Sequence, residues 1–128
     1  MDIQILSLDT KTRTAIIFFC ITLIIFTPLC GWLFGCGCTW PGLGLDVKCN
    51  YHQLQADHKC PWCVSLQAGV ISYFLALSSS LRVLWRNVPR KYIRWEFGYR
   101  LIIGNLTFLT IAAMCGWLVA ITQSFPLN

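Results

Sequence analysis

Residues 15–34, AIIFFCITLIIFTPLCGWLF, contain no charged side chain. A helix of that length rises ~30 Å, the thickness of a bilayer's hydrocarbon core. Two further charge-free runs follow, at 64–81 and 101–128. The middle run has 18 residues, and Arg82 and Arg86 at its end can snorkel to lengthen it. The chain of 128 residues has room for one domain, with 56% hydrophobic and 12% charged residues against about 25% charged in soluble domains. Three buried helices of a soluble domain would leave too little polar surface to cover them. The expected fold is therefore an all-α integral membrane protein with three transmembrane helices. An irregular Cys/His-rich external loop joins helices 1 and 2. Its expected segments are a tail at 1–14, spans at 15–35, 64–85 and 101–122, the Cys/His loop at 36–63, a basic loop at 86–100 and a short tail at 123–128.

The net charge of +5 does not point to nucleic acid, because of where it lies. Lys11 and Arg13 precede the first run. Arg82, Arg86, Arg90, Lys91, Arg94 and Arg100 lie between the second and third. Lys48 and Lys59 are matched by Asp46 and Asp57. The positive-inside rule then places the N-terminus and the 86–100 loop in the cytoplasm of a plasma or inner membrane, and the Cys/His loop and C-terminus outside. Leu33-Phe34-Gly35-Cys36 has the outline of a lipoprotein cleavage box, but Phe34 is bulky where a small residue is needed. Arg82, Arg86, Arg90 and Arg94 are spaced by four, although Pro89 must interrupt a helix there. With Lys91 and the interleaved Trp85, Tyr92, Trp95 and Tyr99, they suit anionic lipid headgroups or a docked partner. Trp40 and Trp62 are expected at the outer interface, and Trp85 and Trp95 at the inner one.

Helices in lipid associate through small residues. Ala68, Ser72, Ala76 and Ser80 recur every four residues in the second span, as do Ala112, Gly116 and Ala120 in the third. Gly31 and Gly35 give the first span a shorter stripe. These stripes can be used within the chain or offered to other membrane subunits. Cys-Gly-Trp-Leu occurs at 30–33 and again at 115–118. Cys30 and Cys115 are expected to be small packing residues.

The loop reads Cys36-x-Cys38, Cys49-x2-His52, His58-x-Cys60 and Cys60-x2-Cys63. Disulfides suit an external loop with little core of its own. The odd cysteine of its five would then stay free or pair with Cys30. A metal ion is the second option, since Cys-x2-Cys and Cys-x2-His each bring two ligands to one zinc without strain. The expected set is Cys49, His52, Cys60 and Cys63, with Cys36, Cys38 and His58 as substitutes. A copper ion would favour Cys36 and Cys38. A c-type haem is not indicated, because Val64 follows Cys63 where His is required.

Thiol–disulfide exchange is the third option. Cys60 and Cys63 open a helix, where thiol pKa values fall. Locally this resembles the membrane disulfide-relay families, the DsbB-like and vitamin K epoxide reductase-like proteins. These also set a Cys-x-x-Cys at the outer end of a membrane helix and a second cysteine pair in an external loop. The resemblance implies Cys60 and Cys63 as a quinone-linked pair, and Cys36, Cys38 or Cys49 as the shuttle. The chain departs from the pattern in having three spans rather than four or more, and no arginine soon after the motif.

No phosphate-cradling loop or paired carboxylates are present, and no charge lies inside a span, which argues against an ion path. The expected function is that of a small accessory subunit of a larger membrane complex, such as an electron-transfer or oxidase assembly, with no catalysis of its own. The alternatives are a thiol–disulfide redox protein and a zinc- or copper-binding membrane protein.

Overall fold

The computed structural model describes residues 9–38, 60–87 and 95–123. Their helices are α1 (Thr10–Phe34), α2 (Pro61–Val64), α3 (Leu66–Leu84) and α4 (Glu96–Thr122), and no strand occurs among the described residues. α1, α3 and α4 are each long and apolar enough to cross a membrane. Cys49, His52, His58, Arg90, Lys91 and Arg94 lie outside the described residues.

The ends of these helices follow from local chemistry. α1 runs through Pro28 and stops at Gly35, whose φ of 61° is left-handed and whose N–H bonds the carbonyl of Gly31 at 2.9 Å. This is the helix-ending geometry that glycine adopts without steric cost. Pro61 occupies the first position of α2, where its missing N–H is not needed. Ser65 is extended and separates α2 from α3. Its hydroxyl accepts from the N–H of Ala68 at 3.4 Å. The second span is thus a one-turn helix followed by a 19-residue helix, rather than one helix beginning at 64. The third starts earlier than expected, at Glu96.

α3 packs chiefly on α4. Ser72, Ala76 and Ser80 are buried on one, and Ala112, Gly116 and Ala120 on the other, while Ala68 is half-buried. A Cβ on Gly104 would lie 3.0 Å from Leu84 Cδ2, and one on Gly116 would lie 2.9 Å from Trp62 Cζ2. The α4 glycines therefore seat large side chains. Phe18, Tyr73 and Phe108 meet edge to face in the centre, with centroids 6.3 and 5.7 Å apart. The hydroxyls of Thr22 and Tyr73 sit 3.3 Å apart beside them.

Hydroxyls elsewhere are satisfied locally. Ser72 and Ser80 donate to Ala68 and Ala76 carbonyls at 2.7 and 2.8 Å, which suits a medium without water. Asn105 lies within α4 and donates to the carbonyl of Leu101 at 2.8 Å.

Three readings of the sequence change here. Trp62 is 4% exposed, stacked on Phe26 at 4.8 Å and edge-on to Phe34 at 5.6 Å, so it packs inside the bundle rather than on its outer surface. Trp85 and Trp95 are exposed. Gly31 and Gly35 serve the return of their own chain, because a Cβ on Gly31 would fall 2.0 Å from the carbonyl oxygen of Cys38. Arg86 lies beyond the end of α3, so Arg82 and Arg86 do not share a helical face.

Arg100, in the first turns of α4, is buried at 4% exposure. Its Nε and Nη2 bond Glu96 Oε1 at 2.9 and 2.8 Å, and its Nη1 donates to the carbonyls of Leu84 and Arg86. One side chain thus satisfies carbonyls at the end of α3 that would otherwise lack donors. Arg100→Met should lower stability by about 1–3 kcal/mol, measured by denaturation in mixed micelles, with the loss centred on the α3–α4 pair.

Candidate metal centre

Five cysteine sulfurs converge where α1 ends and α2 begins. Cys30 is on the last turns of α1. Gly35 reverses the chain immediately after that helix, and Gly37, at φ 77°, continues the return. This lays Cys36 and Cys38 back over Cys30. Cys60 caps α2 and Cys63 follows on its only turn. The side-chain amide of Gln123, at the far end of α4, donates to the carbonyl of Pro61 at 3.2 Å and fixes α2 to the bundle.

The sulfurs form a continuous line. Cys36 Sγ is 3.2 Å from Cys30 Sγ, Cys30 Sγ is 2.8 Å from Cys60 Sγ, and Cys60 Sγ is 2.9 Å from Cys63 Sγ. Cys36 also touches Cys38 Sγ at 3.4 Å. The sulfurs of Cys30, Cys36 and Cys60 all lie within 4.8 Å of one another, as do those of Cys30, Cys38 and Cys63. Cys38 is disulfide-bonded rather than a free thiol, so the thiols available are Cys30, Cys36, Cys60 and Cys63. Cys30, Cys36 and Cys60 are buried, and Cys63 is half-buried.

The surroundings favour thiolate at Cys36 and Cys63, whereas at Cys60 the lowering effect of Cys30 is outweighed by the Cys36 and Cys63 thiols and by burial, which push it up. The Cys30 thiol beside Cys36 is the chief cause that holds Cys36 below the usual thiol range, and the Cys38 N–H adds to it. Cys63 is also lowered, again chiefly through Cys30. The N–H of Cys63 donates to Cys60 Sγ at 3.2 Å. Backbone N–H groups aimed at sulfur are typical outer partners of metal-bound thiolates.

This cysteine cluster can therefore hold a metal ion: the free thiols of Cys30, Cys36 and Cys60 all lie within 4.8 Å of one another, and that of Cys63 lies beside Cys60, while the Cys38 sulfur is taken by its disulfide. A zinc–sulfur bond of ~2.3 Å sets tetrahedral sulfur–sulfur edges near ~3.8 Å. The Cys30–Cys36, Cys30–Cys60 and Cys60–Cys63 contacts would each widen by about 1 Å or less to reach it, and Cys36 and Cys63, at the two ends of the line, would have to draw together, whereas a disulfide would bring any adjacent pair in to ~2.05 Å.

Of the residues singled out from sequence, Cys36, Cys38, Cys60 and Cys63 come together here. Cys30 was missed as a ligand, because a cysteine inside an apolar helix resembles a packing residue. The signal was the glycine five residues later, which turns the chain back on itself. Cys115 is half-buried and Cys20 exposed, both as free thiols. The four-residue α2 also gives Cys60 and Cys63 little helix dipole of their own. No protein family, curated protein or solved structure matches the chain.

Mild oxidation of metal-free protein should cross-link only among Cys30, Cys36, Cys60 and Cys63, without Cys20 or Cys115. Gly31→Ala should cut the Cys30–Cys36 product several-fold and spare the Cys60–Cys63 one, as read by peptide mass mapping.

Proposed function

We propose that this chain is a metal-binding integral membrane protein. Its three long helices span the bilayer, and one end of the bundle carries a four-thiolate site for a single thiophilic ion, zinc or copper(I). The observation that carries this reading is the gathering of four free thiols from α1, the return after Gly35 and the α2 turn. Three of them are buried within 2.8–3.2 Å sulfur contacts. Disulfides join sulfurs in pairs, whereas one ion can engage all four.

The ion would clamp the end of α1 to the start of α3 and close the base of the 36–63 loop. In this reading the basic N-terminal segment and the Arg82–Arg86 end lie at the cytoplasmic face, against anionic headgroups, and the thiols lie outside. The role is structural or metal-handling rather than catalytic. Membership of a larger membrane assembly remains compatible with it, but a partner would have to dock away from the α3 and α4 small-residue faces, which are buried within the chain.

The Cys60–Cys63 contact of 2.9 Å, with Cys63 partly accessible, favours thiol–disulfide exchange as the second reading. Oxidation of that pair would form one sulfur–sulfur bond and release two protons and two electrons to an acceptor disulfide.

Protein extracted in mild detergent without reductant should carry one zinc or copper per chain by elemental analysis. Cys30→Ser, Cys36→Ser, Cys60→Ser and Cys63→Ser should each lower affinity by at least tenfold, whereas Cys20→Ser and Cys115→Ser should leave it unchanged. Affinity should fall as pH falls, because protons compete for the thiolates. Thiols that become reactive only after reduction, and not after chelation, would sink the metal reading in favour of the second.

A further inference from the structure

The four free thiols serve one ion in the reading above, which leaves the Cys38 sulfur aside. Its position places it in the same centre. Cys38 is disulfide-bonded, yet its Sγ lies 3.4 Å from that of Cys36 and within 4.8 Å of those of Cys30 and Cys63. The sulfurs therefore form two triangles that share Cys30. One is Cys30, Cys36 and Cys60, and the other is Cys30, Cys38 and Cys63, each with all its sulfurs within 4.8 Å of one another. The Cys36–Cys38 contact of 3.4 Å and the Cys60–Cys63 contact of 2.9 Å join the triangles at their outer corners. With a metal–sulfur bond of ~2.3 Å, three sulfurs around one ion stand ~4 Å apart, so each triangle has the size of a three-sulfur shell.

The second triangle has an open side. A cavity of about 300 Å³ between α1 and α3 is lined by Cys30, Cys38 and Cys63, and by neither Cys36 nor Cys60. Leu23, Phe26, Val70 and Phe74 are among its other walls, and no carboxylate or imidazole among the described residues lines it. An ion arriving there meets sulfur and carbon, a setting that selects a soft ion. Zinc takes four ligands in a closed shell, whereas copper(I) is content with three thiolates.

We propose that Cys30, Cys38 and Cys63 form a second copper(I) position, which becomes available when the Cys38 disulfide is reduced and which shares Cys30 with the first. A dithiol reductant supplies the step. It gives two electrons and two protons to the Cys38 sulfur–sulfur bond, which opens to two thiols, while the dithiol closes to its own disulfide. Copper(I) then displaces the proton of the Cys38 thiol. One added thiolate and one added monovalent cation leave the charge of this buried centre unchanged, so no extra net charge is taken out of water. Cys63, the least buried of the cluster, stands on the side from which the ion enters. The inference rests on the metal reading and adds to it a second ion and its redox control.

The test uses the full chain in mild detergent without oxygen. Copper(I) or zinc is added in excess, either before or after treatment with a phosphine, which opens disulfides without offering thiols to the metal and is then removed. Weakly held ion is stripped with a competing chelator, and metal per chain is counted by elemental analysis. Copper should rise from one per chain to two on reduction, while zinc stays at one. Cys38→Ala and Cys63→Ser should hold one copper in both states, and Cys115→Ser should match the wild type. X-ray absorption of the two-copper form should show copper–copper scattering, because the shared Cys30 sulfur holds the ions close.

One copper per chain before and after reduction would overturn the proposal and leave the metal reading standing. Two coppers in Cys38→Ala would place the second ion elsewhere, and two zinc ions in the wild type would contradict a three-sulfur position; either result overturns it as well. Should the variants fail to fold, the wild-type count and its copper–copper scattering decide alone. No tightly held metal in either state would instead overturn the metal reading beneath it.

Discussion

The left-handed turn at Gly35 is the constraint on which the sulfur centre depends. A helix as apolar as α1 has no reason of its own to stop at Phe34, and only a residue without a Cβ takes φ 61° freely. The turn satisfies the Gly31 carbonyl and sends the backbone back across the helix it has just left. That return passes so close that position 31 must be glycine too, since Cys38's carbonyl occupies the space of a Cβ. Two glycines four residues apart thus bring Cys36 onto Cys30. The α2 turn, held by Pro61, Ser65 and Gln123, brings Cys60 and Cys63 to meet them.

The architecture was legible for a simple reason. Charge-free runs near 20 residues have few other uses, and α1, α3 and α4 fall on them. The small-residue spacing in the second and third runs was legible too, because a four-residue repeat lies along one helical face. The helix ends were harder. Whether Ser65 caps a helix or continues one depends on where the preceding turn points, and that is a tertiary matter. Glu96 and Arg100 looked like members of a basic loop because their charge hides how well they are paired. Trp62 looked like an interfacial anchor because its burial comes from Phe26, Phe34 and Gly116, none of them near it in sequence.

The site was partly legible. Cys-x2-Cys marked Cys60 and Cys63, and Cys-x-Cys marked Cys36 and Cys38, since short spacings keep sulfurs together whatever the fold. Cys30 could not be found by spacing alone, because its nearest sulfur in space belongs to Cys60, 30 residues away. The expected partners Cys49, His52 and His58 lie outside the described residues. With Cys30 in place, four free thiols lie in one cluster, as many as a closed zinc shell uses.

The Arg100 contacts make α3 and α4 depend on one another. α3 is the least apolar of the three long helices, and it carries three consecutive serines at 78–80. Its last carbonyls are also answered by a side chain that belongs to the next helix. Without α4, α3 would leave those carbonyls unanswered, and without α3, Arg100 would lack its backbone acceptors. The two helices are therefore one unit, each completing the polar end of the other.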